Sequence, residues 1–341
     1  MSGINRHMIT IARESRGFNQ KEFAELINMS NSNIGKMENG DIGVTRQNLA
    51  AIAAETDYPL HFFLQEGEVL NENLAWKKRR KVAKGLIVPI FAKANIITRQ
   101  VQILNKALHL PYPLIPKYIV NDVDTPSVIA GKVKAEWGID DVSSMPILKI
   151  IEDHGIIVNA FDFNTSRVDS LSMLTDDKRP VIFLNDKLEG DKQRFTLAYE
   201  LGQLVMHTYN PTTNSDVGRE ANQFAAEFLM PEKEIRKDFD KGVSFGGLAE
   251  LKSKWKVSMI ALLYRADDLG YLTSNQKRYL MQQFNEAKIR RHEPEDLKIA
   301  AEQPTLMKFL IGELRAKSKM SVTDIAALLC LQIGEFIEMY S

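Results

Sequence analysis

Two stretches of the 341-residue chain hold the side chains whose types and spacing could do chemistry. The first is Gln193-Arg194-Phe195-Thr196-Leu197-Ala198-Tyr199-Glu200-Leu201-Gly202-Gln203-Leu204-Val205-Met206-His207. The second is Gly218-Arg219-Glu220-Ala221-Asn222-Gln223-Phe224-Ala225-Ala226-Glu227-Phe228-Leu229-Met230-Pro231. Between them they carry Glu200, His207 and Glu220, carboxylates and an imidazole of the kind that move protons or hold metal ions. His154 has no partner at ligand spacing. Ser, His and Asp form no recognisable nucleophile constellation, and no Gly-rich loop of the phosphate-binding kind is visible. Cys330 is the single cysteine, which excludes an internal disulfide framework and any multi-cysteine metal site. It fits a reducing cytoplasm.

Helices must position these stretches, because the helical period runs from Asp191 to the end of the chain. Three strand-like runs precede them. Gly155 to Phe161 is β-branched, Asp169 to Leu174 alternates polar and apolar, and Pro180 to Asn185 is apolar enough to be buried. Pro111, Pro113, Pro116, Pro126 and Pro146 mark helices broken by loops. The chain is 44% hydrophobic and 26% charged, ordinary for a globular protein, and its length allows two or three domains. Lys plus Arg is 44 and Asp plus Glu is 44, so the net charge of zero argues against a uniformly basic nucleic-acid binder. The charge is unevenly placed: residues 1–66 hold six basic and eight acidic residues, net −2. Trp76-Lys77-Lys78-Arg79-Arg80-Lys81 is the densest basic run. The longest apolar run, Gly85 to Ala92, is too short to span a bilayer, and Arg6, Arg13 and Glu14 interrupt any signal-peptide core. No membrane partner is expected.

Met8, Ile11 and Ala12 form a helical stripe that ends near Gly17. Asn19 can cap a second helix with Glu22 as its capping-box partner, and Phe23, Ala24 and Ile27 form its buried face. Ser30 caps a third helix from which Asn31, Ser32, Asn33 and Lys36 project, and Thr45 caps a fourth carrying Leu49, Ile52 and Ala53. Small helices with a short turn before a polar-faced helix suit a helix-turn-helix, in which one helix braces and the next enters the major groove. Phe18-Asn19-Gln20-Lys21-Glu22-Phe23-Ala24, followed by Met29-Ser30-Asn31-Ser32-Asn33-Ile34-Gly35-Lys36-Met37-Glu38-Asn39-Gly40, resembles the Xre/Cro-type helix-turn-helix of phage repressors. The resemblance covers about residues 5 to 65. It implies that Gln20 contacts a phosphate, that Asn31, Ser32, Asn33 and Lys36 face DNA, and that Arg13 braces Glu38. Non-specific affinity comes from neutralised phosphates. Lys77, Lys78, Arg79, Arg80 and Lys81 are therefore either phosphate contacts that the acidic domain lacks or a solvated linker helix.

The stretches around Glu200 and Glu220 together resemble the ImmA/IrrE family of metallopeptidase-like proteins. That resemblance implies a zincin-like α+β domain whose first helix carries His-Glu-x-x-His. The two His, four residues apart, hold zinc, and the Glu is general base for the attacking water. A carboxylate on the second helix, here Glu220, completes the set. This chain departs from the pattern at the two His positions, which hold Tyr199 and Gln203. Neutral Gln is a poor zinc ligand and Tyr an uncommon one, and without metal nothing lowers the pKa of a water toward neutrality. Tyr199, Glu200, Gln203 and Glu220 are therefore expected to form a degenerate site with no catalytic residue, metal or cofactor, held together by hydrogen bonds from Tyr199 and Gln203 to the carboxylates. His207, one turn beyond Gln203, is either a substitute ligand or a hydrogen-bonded core residue. Leu248 to Gly270 resembles the helix-turn-helix that closes the family's domain, with Val257-Ser258 as turn and cap; a core-packing pair without a DNA role is the competing reading. Met320 to Leu329 is a similar element whose apolar face suits dimerisation, partner docking or internal core.

The expected fold is mainly α with a small α+β domain. A five-helix Xre-type domain covers 1–66, and a helical linker region with the basic run covers 67–145. An ImmA/IrrE-like pseudo-peptidase domain with a short β-sheet covers 146–275, and a helical C-terminal region covers 276–341. The expected function is a cytoplasmic, sequence-specific DNA-binding regulator, prophage-repressor-like or antitoxin-like and autoregulatory. It acts as a homodimer on operator DNA. Its zincin-like domain serves as sensor or protein-interaction module. Two functions compete: an antitoxin that neutralises a cognate toxin through its C-terminal half, and an active metallopeptidase with an altered site.

Overall fold

A computed structural model describes residues 3–67, 69, 76–78, 82–113, 115–209, 216–289 and 293–340. The chain opens with α1 (Arg6–Ser15), α2 (Gln20–Leu26), α3 (Asn31–Asn39) and α4 (Arg46–Thr56). Each helix begins at a side chain that accepts from a free N-terminal amide: Asn5, Asn19, Ser30 and Thr45. Asn19 and Glu22 close a capping box. Gly40 ends α3 with φ 84°, a conformation that glycine takes without steric cost. The last helix of the expected five is a single 3₁₀ turn, Leu60–Leu64, which buries Phe62 and Phe63.

Next come β1 (Trp76–Lys78), α5 (Lys84–Leu108), α6 (Pro126–Glu136), α7 (Ile147–Asp153), β2 (Ile157–Phe161), β3 (Val168–Leu174) and β4 (Pro180–Asn185). The basic run was not expected to pair with a sheet. Lys77 and Lys78 belong to an edge strand, antiparallel to β3, with a bulge between them, and so not to a linker helix. Arg79, Arg80 and Lys81 lie outside the described residues. The sheet order is β1-β3-β4-β2, with β2 and β4 parallel and the other pairs antiparallel. The three runs seen in the sequence are thus joined by a fourth strand.

The remaining elements are helical. α8 (Gly190–Gln203) runs on as a π-helical turn, Leu204–Thr208, before α9 (Val217–Leu229), α10 (Glu232–Phe239), α11 (Phe245–Trp255), α12 (Met259–Asp268) and α13 (Ser274–Glu286). A 3₁₀ turn, Glu295–Leu297, precedes α14 (Leu306–Ser318), α15 (Val322–Leu328) and α16 (Ile333–Tyr340).

Side chains alternate across a strand, and β4 divides its own between two cores. Val181 and Phe183 join Leu171 and Met173 in a core shared with α1–α5 and α14–α16. Ile182 and Leu184 join Val158 in a second core shared with α6–α13. The sheet is therefore a partition between two helical layers. α5 is the spine of the first layer. It buries Ile90, Ile97, Val101 and Leu104, and also Asn95, Thr98, Arg99 and Gln100, as a helix covered on most sides must. The C-terminal element falls into the internal-core reading, since Ile325, Ala326, Leu329, Phe336 and Tyr340 all lie in this core. Polar contacts fasten the same layer. Arg16 Nη1 and Nη2 each donate to Glu335 at 2.9 Å, and Tyr340 Oη donates to Gln100 Oε1 at 2.6 Å.

Two capping contacts cross between α7 and the segment that leads into α14. Glu302 accepts from the amides of Ile147 (3.1 Å) and Leu148 (2.7 Å) at the start of α7. Glu152, within α7, accepts from those of Thr305 (3.1 Å) and Leu306 (3.0 Å) at the start of α14. Among the described residues, no helix is long and apolar enough to cross a membrane.

Candidate DNA-reading helix and zincin-like site

Ile34 and Met37 turn one side of α3 into the core, which leaves Asn31, Ser32, Asn33 and Lys36 exposed on the other. The helix is held from behind. Arg13 Nε donates to Glu38 Oε1 at 2.6 Å and Arg13 Nη2 to Glu38 Oε2 at 3.0 Å, both side chains being buried. Arg13 Nη1 also donates to the Phe18 carbonyl at 2.7 Å, so one guanidinium joins α1, the α1–α2 turn and α3. The brace implied by the resemblance is present. Gln20 Nε2 donates to Glu38 Oε2 at 2.7 Å, which sets its amide in the seam between α2 and α3.

On α8, Tyr199 and Gln203 lie one turn apart on the same face. Gln203 Nε2 donates to the Tyr199 hydroxyl at 3.1 Å and to the Val217 carbonyl at 3.4 Å. This corrects the expectation that Gln203 bonds to a carboxylate: the amide and the phenol pair with each other. Glu200 is fully buried and accepts from the hydroxyls of Ser170 and Ser172 on β3. Those two serines were missed, although the alternation of Asp169 to Leu174 already placed them on one strand face. Burial pushes the Tyr199 phenol above its ordinary pKa.

His207 sits in the π-helical turn, where Tyr118 N donates to the Val205 carbonyl at 3.0 Å and steadies the irregular backbone. Its Nε2 lies 3.1 Å from Glu220 Oε2, off the line of a hydrogen bond. Among the described residues neither atom has a hydrogen-bond partner, and Gln203 Oε1 is also buried without one. Burial lowers the His207 pKa and raises that of Glu220. α8 and α9 approach closely here, since a Cβ on Gly202 would stand 2.9 Å from the Phe224 ring.

These donors do not fit the zinc of a metallopeptidase. The Tyr199 oxygen accepts an N–H, its phenol is held protonated by burial, and Gln203 turns its N–H toward that oxygen. His207 and Glu220 are left as two strong donors where a catalytic zinc takes three protein ligands. Among the described residues, no three His, Cys, Asp or Glu side chains are grouped to hold a metal ion.

The element spanning α11 and α12 turns at Lys256 (φ 52°) and is capped by Ser258. Leu248, Trp255, Leu262 and Leu263 bury it in the second core. Outward it shows Tyr264 and Asp268, while Arg265 is buried against Glu227, which favours the core-packing reading. A cleft of about 870 Å³ opens between α8, α9 and α12, with Phe195, Arg219, Asn222 and Tyr264 on its walls.

Residues 9–63 match the helix-turn-helix family model, and residues 151–267 match that of the IrrE N-terminal-like domain. No curated protein matches the chain. The chain carries an N-terminal Xre-type helix-turn-helix domain, a DNA-binding fold, and a central IrrE N-terminal-like domain.

Proposed function

We propose that this protein is a sequence-specific, autoregulatory transcription regulator, repressor-like or antitoxin-like, whose zincin-like domain is a sensor or protein-interaction module and not a peptidase. The observation that carries the reading is α3, with four polar side chains outward and a buried ion pair behind it. A rigid helix with free amide and ammonium groups can read base edges in the major groove. Asn31, Ser32, Asn33 and Lys36 are its readers. Gln20 reaches a phosphate from the α2–α3 seam, and Lys77, Lys78, Arg79, Arg80 and Lys81 add the positive charge that residues 1–66 lack. The regulator works in the cytoplasm as a homodimer on two half-sites one helical turn apart. Its functional units are 1–66, 67–145, 146–275 and 276–341. The pairing of Gln203 with Tyr199 supports the loss of zinc and peptidase activity.

The test is gel retardation on the protein's own promoter DNA. One good base contact gives about 1–3 kcal/mol of discrimination. Asn33→Ala with Lys36→Ala should therefore abolish specific retardation while the circular dichroism spectrum stays that of wild type. Unchanged operator binding in this double variant would remove α3 as the reading helix.

A further inference from the structure

The end of α1, the first turns of α5 and the loop after β2 enclose a crevice of about 370 Å³. Its lining includes no residue of α3, α8 or α9. Leu86, Pro89, Ile90, Phe161 and Phe163 make its walls apolar. Lys93 is half-buried on this lining, with Nζ 5.8 Å from the centre of the Phe161 ring, and has no carboxylate partner among the described residues. The other charges at the crevice are already matched. Arg16 commits both terminal nitrogens to Glu335, and Asp162 has Lys187 Nζ at 3.6 Å.

A half-buried ammonium among apolar groups gives up hydration without gaining a counter-charge. An anion with an apolar body repairs both deficits, because its head meets the ammonium and its chain covers the rings. A multiply charged phosphate compound is poorly matched, since one cation is free among the described residues and Asp162 stands at the rim.

We propose that this crevice binds an amphipathic monocarboxylate, with its carboxylate on Lys93 and its chain against Ile90, Phe161 and Phe163. The binding rests on the crevice alone. Its consequence rests on the regulator reading: Ser15, Arg16 and Gly17 form one wall, and Arg16 is also the tie between the helix-turn-helix domain and α16. Occupancy therefore acts on the seating of the DNA-binding end.

The experiment titrates the full chain calorimetrically with sodium octanoate, and with 1-octanol as the uncharged probe of equal length. Octanoate should bind saturably at one site. A hydrogen bond to a charged group contributes about 1.5–3 kcal/mol, or about tenfold and more in affinity. Octanol, and octanoate on Lys93→Met, should therefore bind at least about tenfold more weakly, whereas Lys93→Arg should retain binding. Leu86→Trp, which fills the crevice from its rim, should block octanoate without touching the charge. No saturable octanoate binding, equal binding of octanol, or undiminished binding by Lys93→Met would overturn the site. A second arm repeats promoter retardation with octanoate present and should show a severalfold change in affinity. If octanoate binds through Lys93 and retardation does not move, the site stands and the coupling falls. If octanoate binds and no promoter DNA is retarded at all, the regulator reading falls instead.

Discussion

A helix that holds zinc through His-Glu-x-x-His needs two lone pairs directed at one point. On α8 the two positions at that spacing hold an amide N–H donated to a phenol oxygen, so neither the Tyr199 oxygen nor the Gln203 nitrogen offers a free lone pair. The purified protein should carry no stoichiometric zinc by elemental analysis, and chelation should leave promoter retardation unchanged. One equivalent of zinc, together with proteolysis that Glu200→Gln abolishes, would move the protein into the enzyme class. Glu200→Gln should cost only about 1 kcal/mol in chemical denaturation, the scale of one net hydrogen bond. A Gln oxygen can still accept from one of the two serine hydroxyls, and the other hydroxyl can turn to accept from the amide. Retardation should be unaffected. Cys330 belongs to the same scale. Burial pushes its thiol up to about 11, and the thiolate is the reactive form. A disulfide reagent at pH 8 should therefore label the native chain slowly and the denatured chain at once. Rapid native labelling would show that the α15–α16 turn opens readily.

Between elements, α8 and α9 leave no room for a side chain at Gly202. Gly202→Ala would force the Phe224 ring, and with it α9, to give way. Overpacking of this kind costs about 1–3 kcal/mol, to be measured as a lower denaturant midpoint; a neutral or stabilising result would mean that the helices slide freely. The capping contacts between α7 and the segment that leads into α14 make a second link. Glu152→Ala leaves the first amides of α14 without their acceptor, at about 1 kcal/mol by comparison with ordinary N-caps. Hydrogen exchange should speed up at Thr305 and Leu306 before it does so in α8. At β1 the question is charge. Neutralising Lys77 to Lys81 should weaken binding to all DNA alike and flatten the slope of log affinity against log salt. An unchanged slope would leave Lys77 and Lys78 with a role in the sheet edge alone.

Across the whole molecule, the helix-turn-helix domain is seated on α5 and the C-terminal helices through one shared core. Tyr58 lies in that seat: its hydroxyl is 3.0 Å from Ser15 Oγ, and the Arg16 guanidinium lies 4.3 Å from its ring centre. Burial pushes its hydroxyl up to about 12. The folded chain therefore holds this proton more tightly than the unfolded chain does, where the pKa is about 10. The resulting stability is complete below pH about 10 and is lost as pH rises through about 12. Denaturant midpoints between pH 8 and 12 should fall over that range in wild type and fall less steeply in Tyr58→Phe. Equal slopes would place the alkaline weakness elsewhere.

The sequence by itself determined whatever depends on near neighbours or on chemical identity. Asn19, Ser30, Thr45 and Ser258 cap helices because a side-chain oxygen reaches an amide two or three residues ahead. The strands after Gly155 were legible from one β-branched run, one alternation and one buried apolar run, and Tyr199 and Gln203 at a spacing of four are written in the residue types. Tertiary structure decided the rest. β1 is three residues long and exists because β3 pairs with it, which no local pattern announces. α5 continues through Pro89 because the first core buries the turns that follow it, so packing outweighs the missing N–H. The residue types pointed Gln203 at a carboxylate, and the position of the Tyr199 hydroxyl decided otherwise. The apolar face of α15 suited a partner as well as a core, since hydrophobic periodicity reports only that a face is covered. What covers it is the first core, and that follows from long-range packing of α14–α16 onto α5 and the sheet.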